Sequence, residues 1–130
     1  MPRILVVDDE PLISMMVEAW LNELGYEVVG PAGSVQDGLR LIVSHELDAA
    51  ILDINLGGQD CYVVANTLQQ RGVPFVFATG GSEMGAAASF KDPIFLRKPF
   101  DFESVKKVLG KLLNQRAAWQ NALLTACSSG

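Results

Sequence analysis

Residues 3–11 read Arg3-Ile4-Leu5-Val6-Val7-Asp8-Asp9-Glu10-Pro11. The apolar run Ile4-Leu5-Val6-Val7 has the length and β-branched content of a buried strand. Pro11 suits the first turn of a helix, where its missing N–H costs nothing. A strand that passes through a pair of carboxylates directly into a helix is the opening of an α/β unit. The helix it starts carries Leu12, Met15, Met16, Ala19, Trp20 and Leu24 on one side and stops at Gly25. Met15, Met16 and Trp20 lie at helical spacing and are expected in the core.

The same alternation continues along the chain. Glu27 to Gly30 is a second, shorter strand, and Ser34 is the N-cap of a helix through Leu39, Ile42 and Val43. Ala49-Ala50-Ile51-Leu52 is the third strand. A helix on Val63, Val64, Thr67 and Leu68 runs from Asp60 to about Gln70 and ends before Gly72. Phe75-Val76-Phe77-Ala78 and Ile94-Phe95-Leu96-Arg97 are the fourth and fifth strands. The last helix starts near Asp101 and buries Phe102, Val105, Val108, Leu109, Leu112 and Leu113. Five strands joined by right-handed crossovers predict an α/β fold with a doubly wound five-stranded parallel sheet of order 2-1-3-4-5.

Composition narrows the function. The chain has 130 residues, 49% hydrophobic, and a formal net charge of −5. That balance opposes a nucleic-acid surface, which needs clustered Lys and Arg. No apolar run is long enough to span a membrane, and the start lacks a signal peptide's h-region. Cys61 and Cys127 are far apart in sequence, and with one histidine they give no zinc or iron spacing. A reduced, cytoplasmic chain is the expectation. His45 is expected to face solvent at a helix end.

Four strands end in a residue with chemistry: Asp8-Asp9 after the first, Asp53 after the third, Thr79 after the fourth and Lys98 after the fifth. Each alone has an ordinary reading, as a turn acceptor, helix-start residue, loop capper or solvated charge. In a parallel sheet, however, all carboxyl ends share one edge, where ligands of open α/β sheets sit. Three carboxylates gathered there repel one another, so they protonate or take up a hard cation. Oxygen ligands with open positions favour Mg²⁺. A cation and an ammonium beside a carboxylate suit phosphoryl transfer, and a carboxylate can itself be the nucleophile. No Gly-rich P-loop points to ATP as direct donor.

These residues resemble the receiver domain of bacterial response regulators, a flavodoxin-like fold, over about residues 3 to 115. The motifs are Leu-Val-Val-Asp-Asp-Glu at 5–10, Ala-Ile-Leu-Asp-Ile-Asn at 50–55, Thr79-Gly80 and Lys98-Pro99. The resemblance implies a phospho-acceptor at Asp53, charged by a histidine kinase or histidine phosphotransfer protein in two-component signalling. It implies Mg²⁺ bound directly by Asp9 and Asp53, through water by Asp8, and by the main-chain carbonyl of Asn55. Thr79 is expected to swing toward the phosphoryl oxygen, Gly80 to leave its path open and Lys98 to pair with it. A cis peptide is expected before Pro99, and Phe95 matches the aromatic switch position. The chain is then a phospho-accepting switch rather than an enzyme proper.

Some positions depart from that pattern. Gly57 stands where Pro is common and Cys61 where Gly is usual. The fourteen residues from Gly80 to Pro93 leave room only for a short fourth helix. Phe-Ala-Thr-Gly at 77–80 resembles a subgroup of stand-alone receivers, though the residues after Gly80 diverge. Residues 1–115 are read as the receiver and 116–130 as a C-terminal helical extension or tail. Leu112, Trp119 and Leu123 carry the apolar stripe of the last helix into that extension, where it is expected to pack on a partner or on a second copy as a homodimer. No output domain is expected beyond Gly130, so output is expected through an unknown downstream protein or as a phosphate shuttle or sink. Two alternatives are a Mg²⁺-dependent phosphohydrolase acting through an aspartyl-phosphate, and a pseudo-receiver that works without phosphorylation.

Overall fold

The computed structural model describes residues 1–56, 59–80, 90, 94–99 and 101–129, without the side chains of residues 55, 59, 60 and 118–129. Its strands are β1 (Arg3–Val7), β2 (Glu27–Ala32), β3 (Ala49–Asp53), β4 (Asn55–Leu56), β5 (Gln59–Asp60), β6 (Phe75–Thr79) and β7 (Phe95–Arg97). The helices are α1 (Pro11–Glu23), α2 (Val35–Ser44), α3 (Tyr62–Gln70) and α4 (Phe102–Ser129). The main sheet is parallel, in the order β2-β1-β3-β6-β7. With the separate β4-β5 hairpin set aside, this is the expected 2-1-3-4-5.

Alternate residues of each strand feed two cores. Leu5, Val7, Leu52 and Phe77 pack with Ile42 of α2 and with Val64 and Leu68 of α3. On the other face Ile4, Val6, Ile51 and Val76 meet Val17 and Leu21 of α1 and Val105, Leu109 and Leu112 of α4. The central strand β3 is buried along its whole length, so its terminal Asp53 is carried to the rim by a rigid element. The expected Ser34 cap is present, its Oγ accepting from the Asp37 amide at 3.1 Å.

Several expectations are corrected. The buried face of α1 is Ser14, Val17 and Leu21. Leu12 is 72%, Met15 67% and Met16 43% exposed, while Trp20 is half-buried and lies edge-on to Phe102. The polar Ser14 disguised the inner face. Its hydroxyl donates to the Asp8 carbonyl at 3.3 Å, which makes its burial tolerable. Val43 and Val63 likewise face outward, 70% and 52% exposed. The third helix begins at Tyr62, because Asp60 pairs with Asn55 in the hairpin. Strand β2 continues past Gly30 to Ala32, with a register shift against β1. As an edge strand it can carry Pro31. Gly30 has φ +102°, and a Cβ there would lie 2.9 Å from the Val6 carbonyl oxygen.

The short helix expected between Gly80 and Pro93 falls largely outside the described residues. Phe90 is described, and its ring packs among Tyr62, Phe75 and Phe77. Helix α4 is 28 residues long, about 42 Å at 1.5 Å per residue. Beyond Leu112 it is clipped by Arg116, whose Nη1 donates to the Gly72 carbonyl at 2.8 Å and whose Nε lies 3.5 Å from Asp48. The side chains of Trp119 and Leu123 are outside the described set. No helix among the described residues is long and apolar enough to cross a membrane.

Candidate functional site

The site forms where β1, β3, β6 and β7 end. At the tip of β1 the Asp8 amide donates to the Ala32 carbonyl at 2.9 Å, and Asp8 Oδ1 accepts from the Glu10 amide at 2.8 Å. That second bond bends the chain sharply into α1, whose N-cap position is Glu10, in extended conformation. Asp8 is only 7% exposed, whereas Asp9 and Glu10 face solvent.

Asp53 ends β3 and is 4% exposed. Its Cα is opposite Ala78 in β6, so Thr79, 2% exposed, extends one residue farther toward the rim. The Lys98 amide donates to the Thr79 carbonyl at 2.8 Å, which sets the start of the lysine side chain beside the same edge. Its Nζ lies 3.1 Å from Glu10 Oε1, 3.3 Å from Asp53 Oδ2 and 3.7 Å from Asp8 Oδ2. The structure therefore brings together residues 45 to 90 positions apart in sequence, as their common strand ends foretold.

Carboxylate oxygens of Asp8, Asp9, Glu10 and Asp53 lie within 4.8 Å of one another. An all-oxygen set of that size, open to solvent through Asp9 and Glu10, fits a hard divalent cation. Lys98 Nζ pairs with three of these four carboxylates, so an added cation would relieve the repulsion that remains. Burial, the strongest influence, raises the Asp8 pKa above its usual value, although the Glu10 amide and Lys98 pull the other way. For Lys98 burial acts to lower the pKa, but Glu10, Asp53 and Asp8 together outweigh it and the net shift is upward.

The remaining expected positions fall around this centre. Gly80 follows Thr79 at the exposed rim. The Lys98–Pro99 peptide is cis. Phe95 is half-buried and stacks on Phe77, with centroids 5.9 Å apart and planes at 30°. Asn55 lies in β4, two residues beyond Asp53. Glu10 is the residue sequence reasoning passed over. Its place beside the acidic pair, just before Pro11, was the available signal, but nothing local revealed a partner 88 residues away.

Comparison with known proteins agrees with this arrangement. The family model of the response regulator receiver domain matches residues 4–110. A sensory transduction protein LytR from Staphylococcus haemolyticus is 30% identical over 87% of this chain and 46% of its own length. The chain spans about half the length of the curated relatives it matches. The solution structure of SdrG from Sphingomonas melonis is 45% identical, with a TM-score of 0.77 over 87% of this chain and 97% of that one. The response regulator TrrA from Thermotoga maritima, solved in complex with Mg(2+)-BeF, is 32% identical with a TM-score of 0.75, covering 87% and 100%. By sequence, sheet order and the convergence of its strand ends, the chain belongs to the response regulator receiver domain family.

Proposed function

We propose that the chain is a Mg²⁺-dependent phospho-acceptor of two-component signalling, with Asp53 as the residue that is phosphorylated. The observation that carries this reading is the approach of Lys98 to Asp53, at 3.3 Å, beside a carboxylate set spaced for a divalent cation. Asp53 Oδ attacks the phosphorus of a phosphohistidine on a kinase or phosphotransfer partner. The P–N bond breaks and the imidazole leaves with the bond's electron pair. Asp8, Asp9 and Asp53, with the Asn55 carbonyl, would hold Mg²⁺, which when bound would neutralise charge on the transferring oxygens. Lys98 and the Thr79 hydroxyl take up the remaining oxygens. Gly80 keeps the approach open, Pro99 fixes the direction of the chain after Lys98, and Phe95 reports the movement of Thr79 by turning its ring.

Output follows as altered protein contacts or onward transfer of the phosphoryl group, and α4 offers a face for a second copy. The test is direct. Incubation with acetyl phosphate and Mg²⁺ should add one phosphate, seen by intact-mass spectrometry and absent from Asp53→Ala. A phosphate that persists in that variant would refute the assignment.

A further inference from the structure

Glu10 does something the cation set alone does not require. Its carboxylate is more than half exposed, yet it makes the shortest of the three ion pairs to Lys98, 3.1 Å against 3.3 and 3.7 Å. The pair is also a hydrogen bond, between residues that neighbour each other only through the fold. Lys98 itself is mostly covered, its side chain 17% exposed, so its ammonium has few directions in which to move. Asp8 and Asp53 lie on the inner side of that ammonium and Glu10 on the solvent side.

We propose that Glu10 is a positioning residue that tethers Lys98 toward solvent and competes with the phosphoryl group for its ammonium. The inference rests on Asp53 being the acceptor. Stabilising Lys98 in the resting arrangement opposes any ligand that needs Lys98 elsewhere, by the strength of the tether and no more. Because Glu10 is partly solvated, the tether is a modest one. It sets how readily the site charges, without being required for charging.

The experiment measures beryllofluoride affinity by ¹⁹F NMR at saturating Mg²⁺, in the full chain and in Glu10→Gln and Glu10→Asp. Both variants should bind about two- to fivefold more tightly, as expected for loss of a partly exposed ion pair. Glu10→Asp is the discriminating variant, since it keeps the charge but shortens the reach. If it behaves like the unaltered chain, Glu10 acts only as a nearby negative charge and the tether is overturned. In a Lys98→Ala background, adding either Glu10 substitution should leave the affinity unchanged. A gain that persists there does not act through Lys98 and also overturns the proposal. If the unaltered chain binds no beryllofluoride, the acceptor reading fails and the tether with it. Normal binding unchanged by either substitution removes the tether alone.

Discussion

Crowding at the sheet edge pushes Asp8 and Lys98 in opposite chemical senses, the acid toward its neutral form and the amine toward its charged one. A carboxyl whose folded pKa is raised binds protons more readily when folded. In the cation-free chain, stability should therefore fall as pH rises from 3.8, the ordinary value, through the raised value of Asp8. Lys98 works at the other end. Its contribution is fully present below its unfolded value of 10.5 and is lost as pH rises through the higher folded value. Relief of the acidic cluster by a cation has a measurable size. Mg²⁺ at ten times its Kd should add about 1.4 kcal/mol, about 5 °C in Tm for a domain of this length. Thermal melts with and without Mg²⁺ check this, and Asp8→Asn should raise the cation-free Tm while reducing the response to Mg²⁺. Asp8, Asp9, Asp53, Thr79 and Lys98 were legible in the sequence because a parallel sheet gathers its strand ends. Glu10 was not, because a side-chain partner across the fold leaves no mark on local pattern.

At the scale of the element, α1 shows how one helix can hold two apolar stripes. Ser14, Val17 and Leu21 face the core, leaving Leu12, Met15 and Met16 exposed on the helix that leads directly from the acidic pair. On the proposed function a protein donor comes close to Asp53, and this stripe is apolar surface on the helix that starts beside the acidic pair. Met15→Glu should slow phosphotransfer from such a donor about tenfold, equivalent to about 1.4 kcal/mol. Phosphorylation by acetyl phosphate should be unchanged, since the side chain is exposed and belongs neither to the acidic cluster nor to the Lys98 pairs. Inside the helix, Ser14→Ala removes a buried hydrogen bond to the Asp8 carbonyl and should cost about 1 kcal/mol in denaturant melts. The five sheet strands were readable because each is an apolar run with chemistry or a turn at its end. The two-residue strands β4 and β5 were not, being too short to carry any periodicity. The end of β2 was misplaced for a different reason. Gly30 and Pro31 look like a stop, yet an edge strand tolerates both.

For the whole molecule, sheet order and the two-sided core followed from topology rules that leave few arrangements for five crossover-linked strands. How α4 is held was less accessible, since Arg116 joins loops preceding β3 and β6, at Asp48 and Gly72, which no periodicity connects to it. Arg116→Ala should cost about 1.5–3 kcal/mol, the range for hydrogen bonds to charged groups, read as a lower urea midpoint. These loops lie at the amino ends of the strands, opposite the acidic rim. Helix α4 starts four residues after Lys98 and runs unbroken to Ser129. Arg116 thus grips it near its middle, with about 21 Å of helix on one side and about 20 Å on the other. Val105, Leu109 and Leu112 seat its first half on the sheet. A small shift where the helix leaves the lysine strand would therefore move the rod as one body and be carried to its distant end.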